Sequence, residues 1–322
     1  MALPSTILVT GASGFVGRHV LPILRRDFPA ARLIAGERPA GGPCPQADAT
    51  IPLDLTRAAS LEAAILEARP DAVLHLAAQA SVPAAFADPL GSWQANLLGT
   101  VSLAEAVLRH RPQALFVHAS TAEVYGLSFR SGAALDEMAG FAPANPYAAS
   151  KAAADLALGE MALRGLRAIR MRPFNQVGAG QAEAYVVPAF ARQVALIEAG
   201  RQEPVIRTGA LDRWRDMLDV SDAAAGYAAA LAHGGDLPPG TAINLASGTP
   251  RRVGDILAEL IALAGLDVRI ETDPGRLRPT DVETTRGDAA LARRLLHWQP
   301  VIPWEASLAA ILTDWRARIA AG

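Results

Sequence analysis

Short runs of consecutive apolar residues alternate along the chain with longer stretches in which apolar positions recur every three or four residues. The short runs are Thr6–Thr10, Arg32–Ala35, Ala72–Leu76, Leu115–His118 and Ala168–Met171. Each reads as a strand buried on both faces, because a half-exposed strand would alternate apolar and polar positions. Between them, Phe15–Arg26, Leu61–Ala68 and Asn96–Arg109 read as helices. Strand and helix in alternation predict a parallel sheet with helices on both faces, an α/β fold of the doubly wound Rossmann kind. After Arg172 the pattern loosens, and prolines and glycines from Pro173 to Pro303 punctuate short elements. A smaller C-terminal α/β lobe is expected there. The expected division is 1–174 for the first domain and 175–322 for the second lobe, with 219–246 returning to the first domain.

Hydrophobic residues make up 51% of the 322 and charged residues 19%, the balance of a globular chain. No apolar run reaches the roughly 18 residues of a membrane span, so no membrane partner is expected. Thr6–Thr10 runs into glycines too soon to be a signal peptide. Cys44 is the single cysteine, which excludes an internal disulfide and leads us to expect a cytoplasmic protein. A net charge of −2 gives no electrostatic case for nucleic acid. No metal site is expected. One imbalance changes the picture. Of 30 lysines and arginines, only Lys151 is a lysine. Arginine stays protonated and planar, whereas a lysine ammonium is compact and its pKa is tunable. The position that keeps a lysine is therefore a candidate for chemistry.

Two motifs carry that chemistry. Thr10-Gly-Ala-Ser-Gly-Phe-Val-Gly17 follows the first strand and opens the first helix. Gly11 permits a tight turn, Gly14 lets backbone approach a pyrophosphate, and Gly17 lets helix and strand pack closely, with Phe15 and Val16 beginning the helix. The second motif, Tyr147-Ala-Ala-Ser-Lys151, places a phenol and an ammonium one turn apart on one helix face. A nearby ammonium favours the phenolate and brings the phenol down from about 10, toward the range of acid–base catalysis.

The Gly-x-x-Gly-x-x-Gly spacing together with Tyr-x-x-x-Lys resembles the extended short-chain dehydrogenase/reductases, the nucleotide-diphosphate-sugar epimerase/dehydratase family. The resemblance implies an NADP or NAD cofactor held by Gly11, Gly14, Phe15, Val16 and Gly17. It adds Asp54 and Leu55 near the adenine, the small-residue strand end Leu76, Ala77 and Ala78, Asn96 on the following helix, and Tyr147 and Lys151 themselves. At the end of the second strand, Glu37 suits ribose hydroxyls and Arg38 suits a 2′-phosphate, so both cofactors stay open. After the fifth strand, Thr121 takes the position where family members carry Ser or Thr to bind the substrate oxygen that Tyr147 protonates, with Ser120 its neighbour. Glu123 reads either as a second acid–base group or as a carboxylate that orients substrate.

In the second lobe, Arg172-Pro-Phe-Asn-Gln-Val-Gly-Ala-Gly-Gln181, Val186-Val-Pro188, Arg215-Asp-Met-Leu-Asp219 and Arg276-Leu-Arg-Pro-Thr-Asp281 run in the order seen in enzymes acting on nucleotide-sugars. The set resembles most the GDP-4-keto-6-deoxy-D-mannose reductases, whose activity would be reduction of a C4 carbonyl to give GDP-D-rhamnose. The resemblance implies a GDP-sugar substrate held by Thr121, Asn175, Val187, Arg215, Arg278 and Asp281. Arginine forks match diphosphate oxygens bidentately, which suits Arg215 and Arg278. Trp214 and Met217 depart from the family pattern near the expected pocket. A GDP-mannose 4,6-dehydratase remains open because Thr121-Ala-Glu123 resembles the Thr-x-Glu of dehydratases, as does a UDP- or dTDP-sugar 4-epimerase. A dinucleotide-binding regulator without chemistry is disfavoured by the intact Thr121–Tyr147–Lys151 set. The resemblance also implies a homodimer, in which Ser92–Arg109 and Pro146–Arg164 pair across a two-fold as a four-helix bundle.

Overall fold

The computed structural model describes residues 3–276 and 282–321. Its strands in chain order are β1 (Thr6–Thr10), β2 (Arg32–Glu37), β3 (Ala49–Pro52), β4 (Ala72–His75), β5 (Leu115–Ala119), β6 (Arg167–Pro173), β7 (Asn175–Val177), β8 (Val205–Thr208), β9 (Trp214–Asp219), β10 (Thr241–Leu245), β11 (Pro250–Arg252) and β12 (Arg269–Thr272). Its helices are α1 (Phe15–Asp27), α2 (Ala58–Ala68), α3 (Val82–Ala87), α4 (Pro89–Trp93), α5 (Thr100–His110), α6 (Pro146–Leu163), α7 (Val186–Glu198), α8 (Val220–His233), α9 (Val253–Ala264), α10 (Ala290–Leu296) and α11 (Trp304–Ala321). A π-helical stretch, Gln94–Gly99, joins α4 to α5.

Seven strands form one parallel sheet in the order β10-β6-β5-β4-β1-β2-β3. The chain reverses direction between β1 and β4, and in such sheets ligands bind at the carboxyl ends of the strands beside that switch. Both faces are buried, which explains the continuously apolar runs. On β1, Ile7 and Val9 join a core with Leu21 and Leu24 of α1 and Ala224 of α8, while Leu8 points the other way to Leu61, Leu103 and Leu158. A fully buried leucine of this kind contributes about 1.5–3 kcal/mol relative to exposure. β3 escapes a reading by apolar runs because Ala49-Thr-Ile-Pro52 is a short polar edge strand with only Ile51 buried. Its edge position tolerates Pro52.

The second lobe has a core of its own, with Phe190 of α7, Ile256 and Leu260 of α9, and Trp304, Ile311 and Trp315 of α11. Small sheets β11-β9-β7 and β12-β8 flank it. Met217 is buried in this core with Val177 and Ile206, so the slot it fills is packing rather than pocket wall. Among the described residues, no helix is long and apolar enough to cross a membrane.

Candidate active site

The first turn after β1 is built for close approach. Gly11 takes φ +69°, and a Cβ there would come within 2.9 Å of the Ala77 backbone that crosses over it. A Cβ on Gly17 would collide with the Ala12 carbonyl, so α1 can sit against the loop only with glycine at that place. Gly14 caps α1 without a side-chain hydrogen bond, and no acidic residue occupies the first turn. The N-terminal N–H groups and the helix dipole therefore face the loop, which favours an anion. Phe15 packs beside Gly178 and lies edge-on to His19, whose Nε2 is 2.9 Å from the Ala179 carbonyl. The loop is thereby tied to the second lobe.

At the end of β2, Glu37 turns back to this loop. Its carboxylate accepts from the Ser13 N–H at 2.6 Å and from the Ser13 hydroxyl at 2.7 Å. Ser13 thus already engages the group read as a ribose ligand, while Arg38 is exposed. Asp54 accepts from the Thr56 N–H and hydroxyl, bonds that hold its carboxyl below the usual carboxylate range. Leu55 packs on Gly99, and the Ala77 N–H donates to the Thr10 hydroxyl at 3.2 Å. Asn96 is fully buried. Its Oδ1 accepts from the Gln79 N–H, and its Nδ2 donates to the Gln79 carbonyl and the Ser150 hydroxyl. Its side chain holds the loop after β4 against α6.

The acid–base set lies where β5 meets α6. Asn145 caps α6, accepting from the Ala148 N–H at 2.8 Å, and Pro146 starts the helix at its preferred first position. Tyr147 follows at once. The Asn145 Nδ2 donates to Glu123 at 3.1 Å, which brings that carboxylate to the phenol. Thr121, whose hydroxyl accepts from the Glu123 N–H, also lies beside Tyr147. Ser120 points away and donates to Asp155 at 2.7 Å, so the structure separates the two neighbouring hydroxyls. Lys151, one turn along α6, is 2% exposed and donates to the Ala119 carbonyl at 2.6 Å.

The electrostatics differ from the expected lysine-lowered phenol. Tyr147 is pushed well above the ordinary phenol range, first by burial, then by the Glu123 charge, with Thr121 opposing and Tyr185 adding. Lys151 is itself pulled down to about 7 by burial, against the Asp155 charge. The main cause is burial, and the Glu123 carboxylate beside the phenol adds to it. Tyr147 therefore holds its proton at neutral pH, the state a proton donor requires.

The residues expected to bind substrate are placed unevenly. Asn175 is exposed at the start of β7. Val187 buries its side chain in the second core, leaving only backbone to offer at the first turn of α7. Arg215 on β9 donates to the Trp214 and Glu283 carbonyls at 2.8 and 3.3 Å. Arg278 and Asp281 lie outside the described residues. Two shallow clefts of about 360 and 450 Å³ on the second lobe share Arg192 and Gln193, and none of the expected site residues lines them. Tyr185, which the motifs did not single out, caps α7 and reaches the Ala80 carbonyl at 3.5 Å, bridging the lobes over the site. Its one sequence signal is an aromatic residue just ahead of an apolar helix.

Residues 7–246 match the model of a family described as NAD dependent epimerase/dehydratase. The GDP-6-deoxy-D-mannose reductase of Pseudomonas aeruginosa is 35% identical over 97% of this chain and 98% of its own. The UDP-glucose 4-epimerase of Azospirillum brasilense is 32% identical over 94% of this chain and 92% of its own. A solved structure, RMD from Pseudomonas aeruginosa complexed with NADPH, superposes with a TM-score of 0.83 at 33% identity, covering 98% of this chain and 99% of that one.

Proposed function

We propose that this chain, which belongs to the NAD dependent epimerase/dehydratase family, reduces the C4 carbonyl of GDP-4-keto-6-deoxy-D-mannose to give GDP-D-rhamnose, using NADPH or NADH. The observation that carries this reading is a Tyr147 phenol held above the ordinary phenol range beside Thr121, with Lys151 buried one turn along the same helix. A reductase needs a loaded proton donor. The Pseudomonas aeruginosa relative with a reductase name, and the NADPH complex of similar fold, support the same direction.

The residues present fit a dinucleotide. The uncapped start of α1 and the close-packed Gly11–Ala77 crossing leave room and N–H donors for a pyrophosphate, with Glu37 and Arg38 at the ribose end. When bound, the reduced nicotinamide supplies the hydride. Thr121 orients the substrate oxygen, and Tyr147 gives that oxygen its phenolic proton. The Lys151 ammonium then stabilises the phenolate left behind, so charge and protons balance. Glu123 supports a second reading as a 4,6-dehydratase, since a carboxylate at the phenol can also serve as a base. Two incubations separate the readings. Consumption of reduced cofactor only when the keto-sugar is supplied, with GDP-D-rhamnose as product, is the expected result. Formation of a 4-keto-6-deoxy product from GDP-mannose alone would overturn it.

The same reading includes a homodimer. On α6, Leu156 and Leu163 are 61% and 89% exposed and, seven residues apart, share one face; Leu98, just before α5, is 50% exposed. Such a stripe on adjacent helices suits a two-fold helical bundle. Light scattering at micromolar concentration is expected to give twice the 33.7 kDa chain mass. A monomer would contradict the assignment.

A further inference from the structure

A row of polar side chains crosses the carboxyl ends of the central strands in register. Thr10 on β1 pairs with His75 on β4, His75 with His118 on β5, and His118 with Arg170 on β6. Neighbours in register share a face of the sheet. That face is covered by α5 and α6, and each member of the row but one is well partnered. His75 is bracketed by the Thr10 hydroxyl at 2.7 Å and the Thr100 hydroxyl at 3.0 Å. Arg170 donates to Asp155 at 2.8 Å. His118 is the exception. It is fully buried, its Nδ1 has no hydrogen-bond partner among the described residues, and its Nε2 lies 3.3 Å from the Lys151 ammonium.

An ammonium only donates, so Nε2 is the bare nitrogen and the proton sits on Nδ1. A buried N–H left unpaired is a cost that a leucine on this apolar strand would avoid. What the histidine gains is its hold on Lys151. We propose that His118 is a positioning residue: an imidazole whose Nε2 accepts from Lys151 and fixes its ammonium at the junction of β5 and α6. The proposal rests on reading Tyr147 and Lys151 as the proton-transferring pair.

The surroundings support a neutral acceptor. Burial holds the His118 ring well below the ordinary imidazole range, and the charge of Lys151 adds to this, followed by His75 and Arg170. Facing the pair are His75 from β4, Arg170 from β6, Asp155 from α6, and the Ala119 carbonyl from β5. Only Asp155 and the two acceptors, the Ala119 carbonyl and His118 Nε2, favour the ammonium. Removing one acceptor should make Lys151 easier to deprotonate.

Because Lys151 is the only lysine, lysine labelled with carbon-13 at Cε gives one NMR signal that reports its titration directly. In His118→Asn the shorter amide covers the Nδ1 position but cannot reach Nε2's place, and in His118→Gln the longer amide can. The Asn variant is expected to titrate at least about 0.5 pH unit lower than the wild-type chain, and the Gln variant to recover most of that shift. The alkaline limb of kcat should move in step. An Asn midpoint unchanged from wild type, or Asn and Gln variants that titrate alike, would overturn the proposal. Absence of keto-sugar turnover by the wild-type enzyme would instead sink the functional reading, and the NMR result would still decide the part played by His118.

Discussion

Tyr147→Phe is expected to lower kcat by at least ~10²-fold, the scale of one acid–base group, while cofactor affinity and fold persist. The substitution deletes one oxygen and leaves the ring. That oxygen lies beside Thr121 and Glu123, which keep their bonds to each other and to Asn145 when it is gone. The loss should therefore fall on chemistry rather than on stability. With the keto-sugar saturating and reduced cofactor monitored by absorbance, KM should change little and kcat should collapse, the pattern of an interaction made in the transition state. Turnover within a few-fold of wild type would remove Tyr147 from the centre of the mechanism. Glu123 then becomes the group to test, since it is the other acid–base side chain at the same spot.

Much of this site is legible in the sequence because its key spacings are local. Gly11, Gly14 and Gly17 lie within one turn and one helix start, and Tyr147 and Lys151 are one turn apart. Local geometry is what residue spacing encodes. The alternation of apolar runs likewise yields the parallel sheet. What the sequence does not disclose depends on register and on long-range approach. His118 meets Lys151 only because β5 and α6 are stacked in one particular way. Glu37 finds Ser13 across 24 residues, and Asn96 is occupied by Gln79 and Ser150. The direction of the Tyr147 shift is the sharpest case. Spacing alone places the ammonium near the phenol, but burial raises the phenol first, and the carboxylate of Glu123, arriving from another segment, raises it further.

The same long-range logic makes Asp155→Asn the substitution with the largest expected effect on stability. Asp155 is fully buried on α6, one turn beyond Lys151. Its carboxylate accepts from the Ser120 hydroxyl, from Arg172 Nε and Nη2 at 3.0 and 2.9 Å, and from Arg170 Nη1 at 2.8 Å. Arg172 in turn donates to the Tyr125 hydroxyl and the Glu137 carbonyl. One carboxylate thus pins the helix that carries Tyr147 and Lys151 to β5 and β6. Burial tends to raise its pKa, but the Arg172 hydrogen bond and the charges of Arg172 and Arg170 outweigh burial and hold it below the ordinary range. The amide keeps the shape and removes the charge, leaving two guanidiniums facing a neutral group in the interior. Breaking a buried pair from one side costs about 3–5 kcal/mol, so the urea midpoint at pH 7 should fall accordingly. The sign with pH follows from the lowered value. A carboxyl depressed in the folded state stabilises above its unfolded pKa of about 4, and that stability is lost as pH falls through the folded value. The gap between wild type and Asp155→Asn should therefore be full at pH 6–7 and shrink below about pH 4. A gap of equal size at pH 3 and pH 7 would show that fit, not charge, anchors the catalytic helix.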